Sequence, residues 1–546
     1  MNHLFKTKSI ANLLAAAQEG GGLKRTLGAV NLIALGIGAI IGAGLFVRTA
    51  AASAQAAGPA VTLSFIVAAI GCAFAGLCYA EFAASVPISG SAYAYAYVTM
   101  GEIVAWIIGW ALIMEYALGA ATVSIAWSEY LNKLLEALGS GGIPYEWCHS
   151  PLEHINQAIG ADVLSQFPAE MVLKAKDGIL TFSDAEVAKL PEALKALVHI
   201  THSGIVNIPA LFILFLLTLV LIRGTQESAT LNAILVGLKL AVVLVFIAIG
   251  WSFINPANHT PYMIPEGVVG HEGFFKHGYG GVLGGAAIVF FAFIGFDAVS
   301  TTAQEAKNPG RDMPIGILGS LAVCTVLYIL FGHVLTGVAN WTDFADPAKG
   351  KEASVAFAIR EYMHGYEWLA TAVTCAILAG FSSVILVMLM GQSRVFYSMA
   401  KDGLVPSVFA ELHPTRKTPF KSNWIVFGFV AIFAGFIPGD VAGDLTSFGT
   451  LLAFVLVCIG ILVMKVKMPD MKRPFATPAP WVVAPLGAII CLSMIVALDV
   501  KTLAYALGWM LVGLVVYFAY GVKNSRLQKG LDVPADSNDA IDHLVP

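Results

Sequence analysis

The sequence predicts an all-α polytopic membrane protein of twelve transmembrane helices, and three observations carry that class. Of 546 residues, 58% are hydrophobic and only 12% charged, with a mean hydropathy of +0.78; soluble domains carry about twice that charge fraction. Apolar windows of roughly 18–25 residues, the length that crosses a bilayer as a helix, recur along the whole chain. These windows are uniformly apolar, whereas a transmembrane β-barrel alternates apolar and polar positions over about 10 residues. A soluble enzyme, a coiled coil and a disordered chain are excluded. So is a nucleic-acid binder, because a net charge of −4 supplies no basic field.

The windows fall near 28–50, 59–85, 102–131, 204–223, 228–252, 281–303, 314–339, 366–398, 422–438, 443–464, 481–498 and 502–522. The stretch from Ile88 to Met100 is too short for a span and reads as an amphipathic or re-entrant helix, with Tyr93, Tyr95 and Tyr97 at alternating positions. Residues 1–27 form an N-terminal segment without the short apolar core of a cleavable signal. Residues 28–522 form the membrane domain, and 523–546 a polar tail. Most of the 31 Lys and Arg residues lie on one side if the N-terminus is inside, so the positive-inside rule puts both termini in the cytoplasm. The short tails favour a bacterial inner membrane. A long outer loop over about 132–203 interrupts the series after the third span; Asp184–Leu197 is a helix candidate there, broken by Pro191. Six of the seven cysteines lie in apolar runs, where Cys acts as a small hydrophobe, and Cys148 alone lies in a polar loop. No spacing suggests a metal site or any cofactor.

Glycine marks the candidate site. The first span reads Gly36-Ile-Gly-Ala-Ile-Ile-Gly-Ala-Gly44, and each glycine costs a helix about 1 kcal/mol relative to Ala. Unwound backbone survives at membrane depth only against protein or a water-filled cavity, so the cluster means a close helix contact or an unwound binding segment. The sixth span, Phe290-Phe-Ala-Phe-Ile-Gly-Phe-Asp297, has a glycine near its middle followed by an acid. Spans one and six each open a block of five. Interrupted spans at matching positions of two halves point to a transporter site at a repeat interface. A half-helix beginning near Ala43 offers free N–H groups and a positive dipole end to a carboxylate. Carbonyls freed near Ile40 and around Phe291, Ala292 and Ile294 suit an ammonium. The backbone of Ile41, Gly42, Ala43 and Gly44 is the predicted carboxylate receptor.

Four runs carry a family likeness: GIGAIIGAGLFV (36–47), CYAEFAASVPISGSAYAYAYVTMGE (78–102), FFAFIGFDAVSTTAQEAKNPGRDMP (290–314) and GQSRVFYSMAKDGLVP (391–406). With these the chain resembles the amino acid–polyamine–organocation superfamily, in its cationic amino acid transporter branch, over roughly residues 25–525. The resemblance implies a LeuT-like 5+5 inverted repeat plus two C-terminal spans, and amino acid transport by alternating access.

Ionisable residues at mid-membrane are functional candidates, because each costs at least about 2.5–3.5 kcal/mol to insert. Lys239 lies near the centre of the fifth span. It reads either as a member of an interhelical salt bridge or, from the family, as an ammonium in the place where sodium-coupled relatives hold their cation, with Ser382 and Ser383 as its partners. The latter implies proton-coupled, sodium-independent uptake. Glu115 in the third span and Asp297 after the sixth-span break match positions where relatives place acids beside the substrate. They could receive a cationic side chain, shuttle protons, or simply be held structurally. Arg394, Glu81 and Glu102 lie near cytoplasmic span ends, as gate or helix-end charges, and Arg48 sits towards the outer half of span one.

The reading is a proton-coupled, sodium-independent importer of cationic or small neutral L-amino acids, whose partners are substrate, protons and the bilayer, with no nucleic acid and no obligatory protein partner. An exchanger of amino acids or polyamines without net proton movement is the alternative. A membrane enzyme is disfavoured, because His149, His154, His199 and His202 lack regular ligand spacing. A channel is disfavoured by the lack of a filter motif.

Overall fold

The first and sixth apolar windows do not fold as continuous helices, and the remaining ten windows pack around them. A computed structural model describes residues 4–9, 25–42, 44–168, 171, 179–182, 187, 190–268, 271–345, 355–496, 498 and 500–531. Among the described residues, twelve apolar helices stand at the twelve windows: seven long enough to cross a membrane and five shorter. In chain order they are α1 (Ala29–Ile40), α2 (Val61–Ser85), then after the short α3 (Ala92–Thr99) the long α4 (Glu102–Ala137), α5 (Ile208–Arg223), α6 (Thr225–Gly250), α7 (Gly278–Phe290), α8 (Pro309–Val338), and, past the short α9 (Val355–Tyr362), α10 (Glu367–Lys401), α11 (Phe420–Phe436), α12 (Gly439–Lys467), α13 (Pro480–Val496) and α14 (Val500–Val516).

Burial sorts these helices by role. The apolar stretch of α10 is 94% buried and that of α4 is 83%, whereas the helix that includes α14 is only 22% buried. The first two run through the protein interior, and the last faces lipid. A helix apolar on every side can occupy either position, so composition alone did not separate them. The α3 stretch is short, as its sequence requires, but it is buried all round rather than amphipathic: Tyr93, Tyr95 and Tyr97 are each at most 1% exposed.

The long loop between α4 and α5 holds a small antiparallel sheet in the order β2-β1-β3, formed by β1 (His154–Ile159), β2 (Ile179–Phe182) and β3 (His199–Ser203). It covers its own apolar cluster of Ala158, Leu164, Phe167, Leu180, Phe182 and Leu190. The strands were not anticipated. Of the candidate helix over Asp184–Leu197, residues 184–186, 188 and 189 lie outside the described residues, and the described part has a turn at Glu192–Lys195, opening directly after Pro191.

Candidate functional site

The two broken spans meet at their breaks. Helix α1 ends at Ile40, Ile41 is extended (φ −78°, ψ 98°), and the chain resumes helical winding as a wide turn over Gly44–Arg48. Helix α7 ends at Phe290, makes a tight turn over Phe291–Phe293, passes Gly295 at φ 112° and continues as a narrow helix over Phe296–Glu305. A side chain at Gly44 would lie 2.2 Å from Ala292 Cα, and one at Gly295 would lie 2.9 Å from Ala39 Cβ. Each break therefore supplies one glycine that lets the other span approach. At Gly295 the backbone also lies in the region that L side chains rarely adopt. The other glycines of span one serve packing: Gly36 abuts Ser320 of α8, and Gly38 abuts Asn232 of α6. The cluster thus holds both close helix contacts and an unwound segment, on different residues.

Three carbonyls freed at the first break, those of Gly38, Ile40 and Ile41, are engaged by side chains of other helices. Lys239 Nζ, fully buried on α6, donates to Gly38 O at 3.0 Å, Ile41 O at 2.7 Å and Ser383 Oγ at 2.8 Å. All three acceptors are neutral, so the lysine sits in a cage of dipoles and not in a salt bridge. Ser383 in turn donates to Gly38 O at 2.9 Å or to Gly380 O at 2.7 Å. Ser382 does not join this cage: its hydroxyl donates to Leu378 O of its own helix at 2.8 Å. Adjacent helix positions point about 100° apart, so only one of two successive serines can face span one.

Two of the carbonyls assigned to a ligand's amine already have a partner that the sequence reading missed. Tyr328 of α8 places its hydroxyl 3.0 Å from Ile40 O and 2.8 Å from Ala292 O, so one side chain bridges the two breaks. Nothing in the local pattern CTVLYILF separates Tyr328 from an ordinary buried aromatic residue. Phe291 contributes its backbone to the tight turn, Ile294 is 5% exposed just after it, and Gly42 packs on Val384 of α10. Ala43 lies outside the described residues.

Glu115 and Asp297 are both fully buried and lie within electrostatic reach of each other. Tyr116 donates to Asp297 Oδ2 at 2.7 Å; the main chain of Gly295, Asp297 and Ala298 lies against the Asp297 carboxyl and the Thr450 hydroxyl near that of Glu115, but none meets Asp297 Oδ1 or the Glu115 oxygens in full hydrogen-bond geometry. Carboxyl oxygens so weakly satisfied in a buried interior are costly unless something else fills them, whether a proton, a ligand donor or water.

The side that carries the N-terminal segment is closed by buried ion pairs. Arg394 meets Glu305 at 2.9 Å, with side chains 1% and 0% exposed. Lys8 of the N-terminal segment meets Asp402 at 2.8 Å, and Asp402 also accepts from Tyr93 at 2.6 Å. Glu81 pairs with Lys465 and Arg473. Glu102 accepts from Tyr97 at 2.7 Å and from Tyr517 at 2.9 Å, which ties α4 to the C-terminal end of the bundle. Arg48 is exposed. On the other side, His271 is hydrogen-bonded to Ala54 O at 2.8 Å, drawing the loop before α7 over the chain that follows the first break.

Paired broken helices around a buried polar centre, closed on both sides, are the arrangement of a membrane transporter. Residues 27–518 match the amino acid permease family, and the chain belongs to it. It is 40% identical to the branched-chain amino acid permease BcaP of Bacillus subtilis (strain 168), over 96% of this chain and 99% of that one. It is 36% identical to the methylthioribose transporter of the same organism, over 97% of this chain and all of that one. It is 33% identical to human cationic amino acid transporter 4, over 85% of this chain and 63% of that one.

Proposed function

We propose that the chain takes up neutral aliphatic L-amino acids together with protons and without sodium. The observation that carries this reading is the Lys239 cage: an ammonium held by Gly38 O, Ile41 O and Ser383 Oγ stands where transporters of paired broken helices hold a coupling cation on unwound backbone carbonyls. A fixed ammonium there leaves no room for sodium. The free N–H groups at the start of the Gly44 turn receive the substrate carboxylate, the carbonyls of Ile40 and Ala292 receive its amine, and Glu115 and Asp297 border the side chain. The similarity to a branched-chain permease over nearly full length favours an uncharged side chain, for which one or both acids carry a proton. The 5+5 repeat over residues 28–522, with both termini cytoplasmic, is part of the same reading. A second reading comes from the methylthioribose transporter, since the similarity to it is nearly as high and spans as much of the chain.

Uptake into proteoliposomes tests both. Labelled L-leucine, L-alanine and L-arginine are offered under an inward proton gradient and, separately, an inward sodium gradient, with unlabelled methylthioribose as competitor. Proton-driven leucine uptake that Lys239→Ala abolishes supports the proposal. Uptake that requires sodium, or that responds only to internal amino acid, overturns the coupling. A preference for arginine, or competition by methylthioribose alone, overturns the substrate.

A further inference from the structure

We infer that Tyr328 is the positioning residue of the amine receptor, setting the spacing of the two carbonyls that bind a substrate's ammonium; the inference rests on the amino acid reading of the site. A tyrosine hydroxyl has one hydrogen. The Tyr328 hydroxyl faces two main-chain carbonyls, Ile40 O at 3.0 Å and Ala292 O at 2.8 Å, which belong to different broken spans. At any instant it can donate fully to one of them. The other is left facing an oxygen, which offers it no donor and repels its dipole. A buried carbonyl in that position forfeits about 1–3 kcal/mol.

A protonated amine resolves this conflict, because it brings three donors to a place where two carbonyls converge and only one proton is available. Each carbonyl oxygen has a second lone-pair direction, so the ammonium can bind beside the hydroxyl without displacing it. Tyr328 does not compete with the ligand. It holds the two acceptors at one spacing while the site is empty, and a ligand meeting preset acceptors loses less freedom on binding.

The ring is built for that role. Its centroid lies 5.2 Å from Phe65 of α2 and 5.2 Å from Phe293 of the sixth-span turn, and the residue is fully buried. These contacts fix the ring, and with it the hydroxyl position, independently of the hydrogen bonds. One turn earlier on α8, Cys324 lies within electrostatic reach of Lys239. The same face of α8 therefore runs past both groups that hold the carbonyls of residues 38–41. Lys239 and Tyr328 together fix the first break, and only Tyr328 carries the connection on to the sixth span.

The test separates positioning from packing. In proteoliposomes, KM and saturated turnover are measured for whichever of L-leucine, L-alanine and L-arginine the wild type takes up best. Tyr328→Phe keeps the ring and removes the hydroxyl, and it is expected to raise KM about tenfold, the equivalent of one net hydrogen bond, with turnover at saturation within about twofold. Replacing Tyr328 by 4-aminophenylalanine puts two N–H donors on the same ring, enough for both carbonyls, and should return KM to within about twofold of wild type. An unchanged KM in Tyr328→Phe, a loss of turnover at unchanged KM, or a 4-aminophenylalanine variant with KM raised tenfold overturns the inference. If Tyr328→Phe does not fold, the 4-aminophenylalanine variant decides alone. A wild type that takes up none of the three amino acids overturns the functional reading itself, a different result from an unchanged KM.

Discussion

Gly44 and Ala292 are in backbone contact: a Cβ built on Gly44 would fall 2.2 Å from Ala292 Cα. Neither partner can yield, because the obstructing atom is main chain in a tight turn. Gly44→Ala must therefore drive the two breaks apart, and overpacking of this kind costs about 1–3 kcal/mol or more. Uptake by Gly44→Ala is expected to be lost, with a lowered melting temperature. Gly237→Ala is the control, since a Cβ there meets nothing within 4 Å and favours the helix by about 1 kcal/mol. Equal effects of the two substitutions on melting and uptake would show that the contact is immaterial.

Removing the Lys239 ammonium strips the donor from Ile41 O and leaves Gly38 O to the Ser383 hydroxyl alone. An orphaned buried acceptor costs about 1–3 kcal/mol. Lys239→Ala should melt well below wild type, and Ser383→Ala only slightly below it, since Ser383 supplies one neutral hydroxyl to the cage. The emptied space is lined by oxygens. Adding sodium should therefore raise the melting temperature of Lys239→Ala and leave wild type unmoved, as a titration of sodium against choline will show.

Much of this was legible in the sequence because membrane insertion leaves a coarse record. A span needs about twenty apolar residues, so all twelve helices were countable, and a lysine or carboxylate within one is visible at once as a costly exception. The breaks were legible at Gly42–Gly44 and Gly295 for the same reason. Other features depend on direction, which spacing gives poorly. Ser382 and Ser383 look alike in sequence, and only the rotation of α10 selects Ser383 as the partner of Lys239. Tyr328 is one aromatic residue among many, and its role comes from two carbonyls distant in sequence. The sheet was missed because its strands are four to six residues long and lie in a polar loop, where alternation is too brief to stand out.

Acidification should weaken the fold through His259, which lies in the loop after α6. Burial, and then the neighbouring His333, hold its imidazole below the ordinary value of 6.5; the two rings are 4.6 Å apart. The unfolded chain then binds a proton at higher pH than the folded chain does. The stability that neutral His259 contributes is present above about 6.5 and is lost as pH falls through the folded value. Melting followed from about pH 7.5 down to about pH 5 should show a decline in wild type that is smaller in His259→Asn. Parallel declines in the two proteins would assign the acid sensitivity elsewhere.

Arg394 and Glu305 form a closure on the side of the N-terminal segment, with both side chains out of water and the guanidinium within 2.9 Å of the carboxylate. Glu305 Oε2 has no further partner, so the pair depends on one carboxylate oxygen. Its backbone contributes too: Glu305 O accepts from Thr26 N and Leu27 N at 2.9 Å, tying the end of the sixth span to the chain just before α1. Breaking a buried pair from one side leaves an uncompensated charge and costs about 3–5 kcal/mol. Glu305→Gln keeps the shape and the main-chain bonds while removing the charge, so its cost should fall on the closed state more than on the fold. The population should then shift towards inward-open, with substrate affinity reduced and the labelling of a cysteine introduced at Ser393, beside Arg394, accelerated at least tenfold from the cytoplasmic side. The paired substitution Glu305→Gln with Arg394→Met removes both charges and should restore slow labelling. Labelling as slow in Glu305→Gln as in the otherwise unaltered Ser393→Cys protein would mean that the ion pair does not hold the inner side shut.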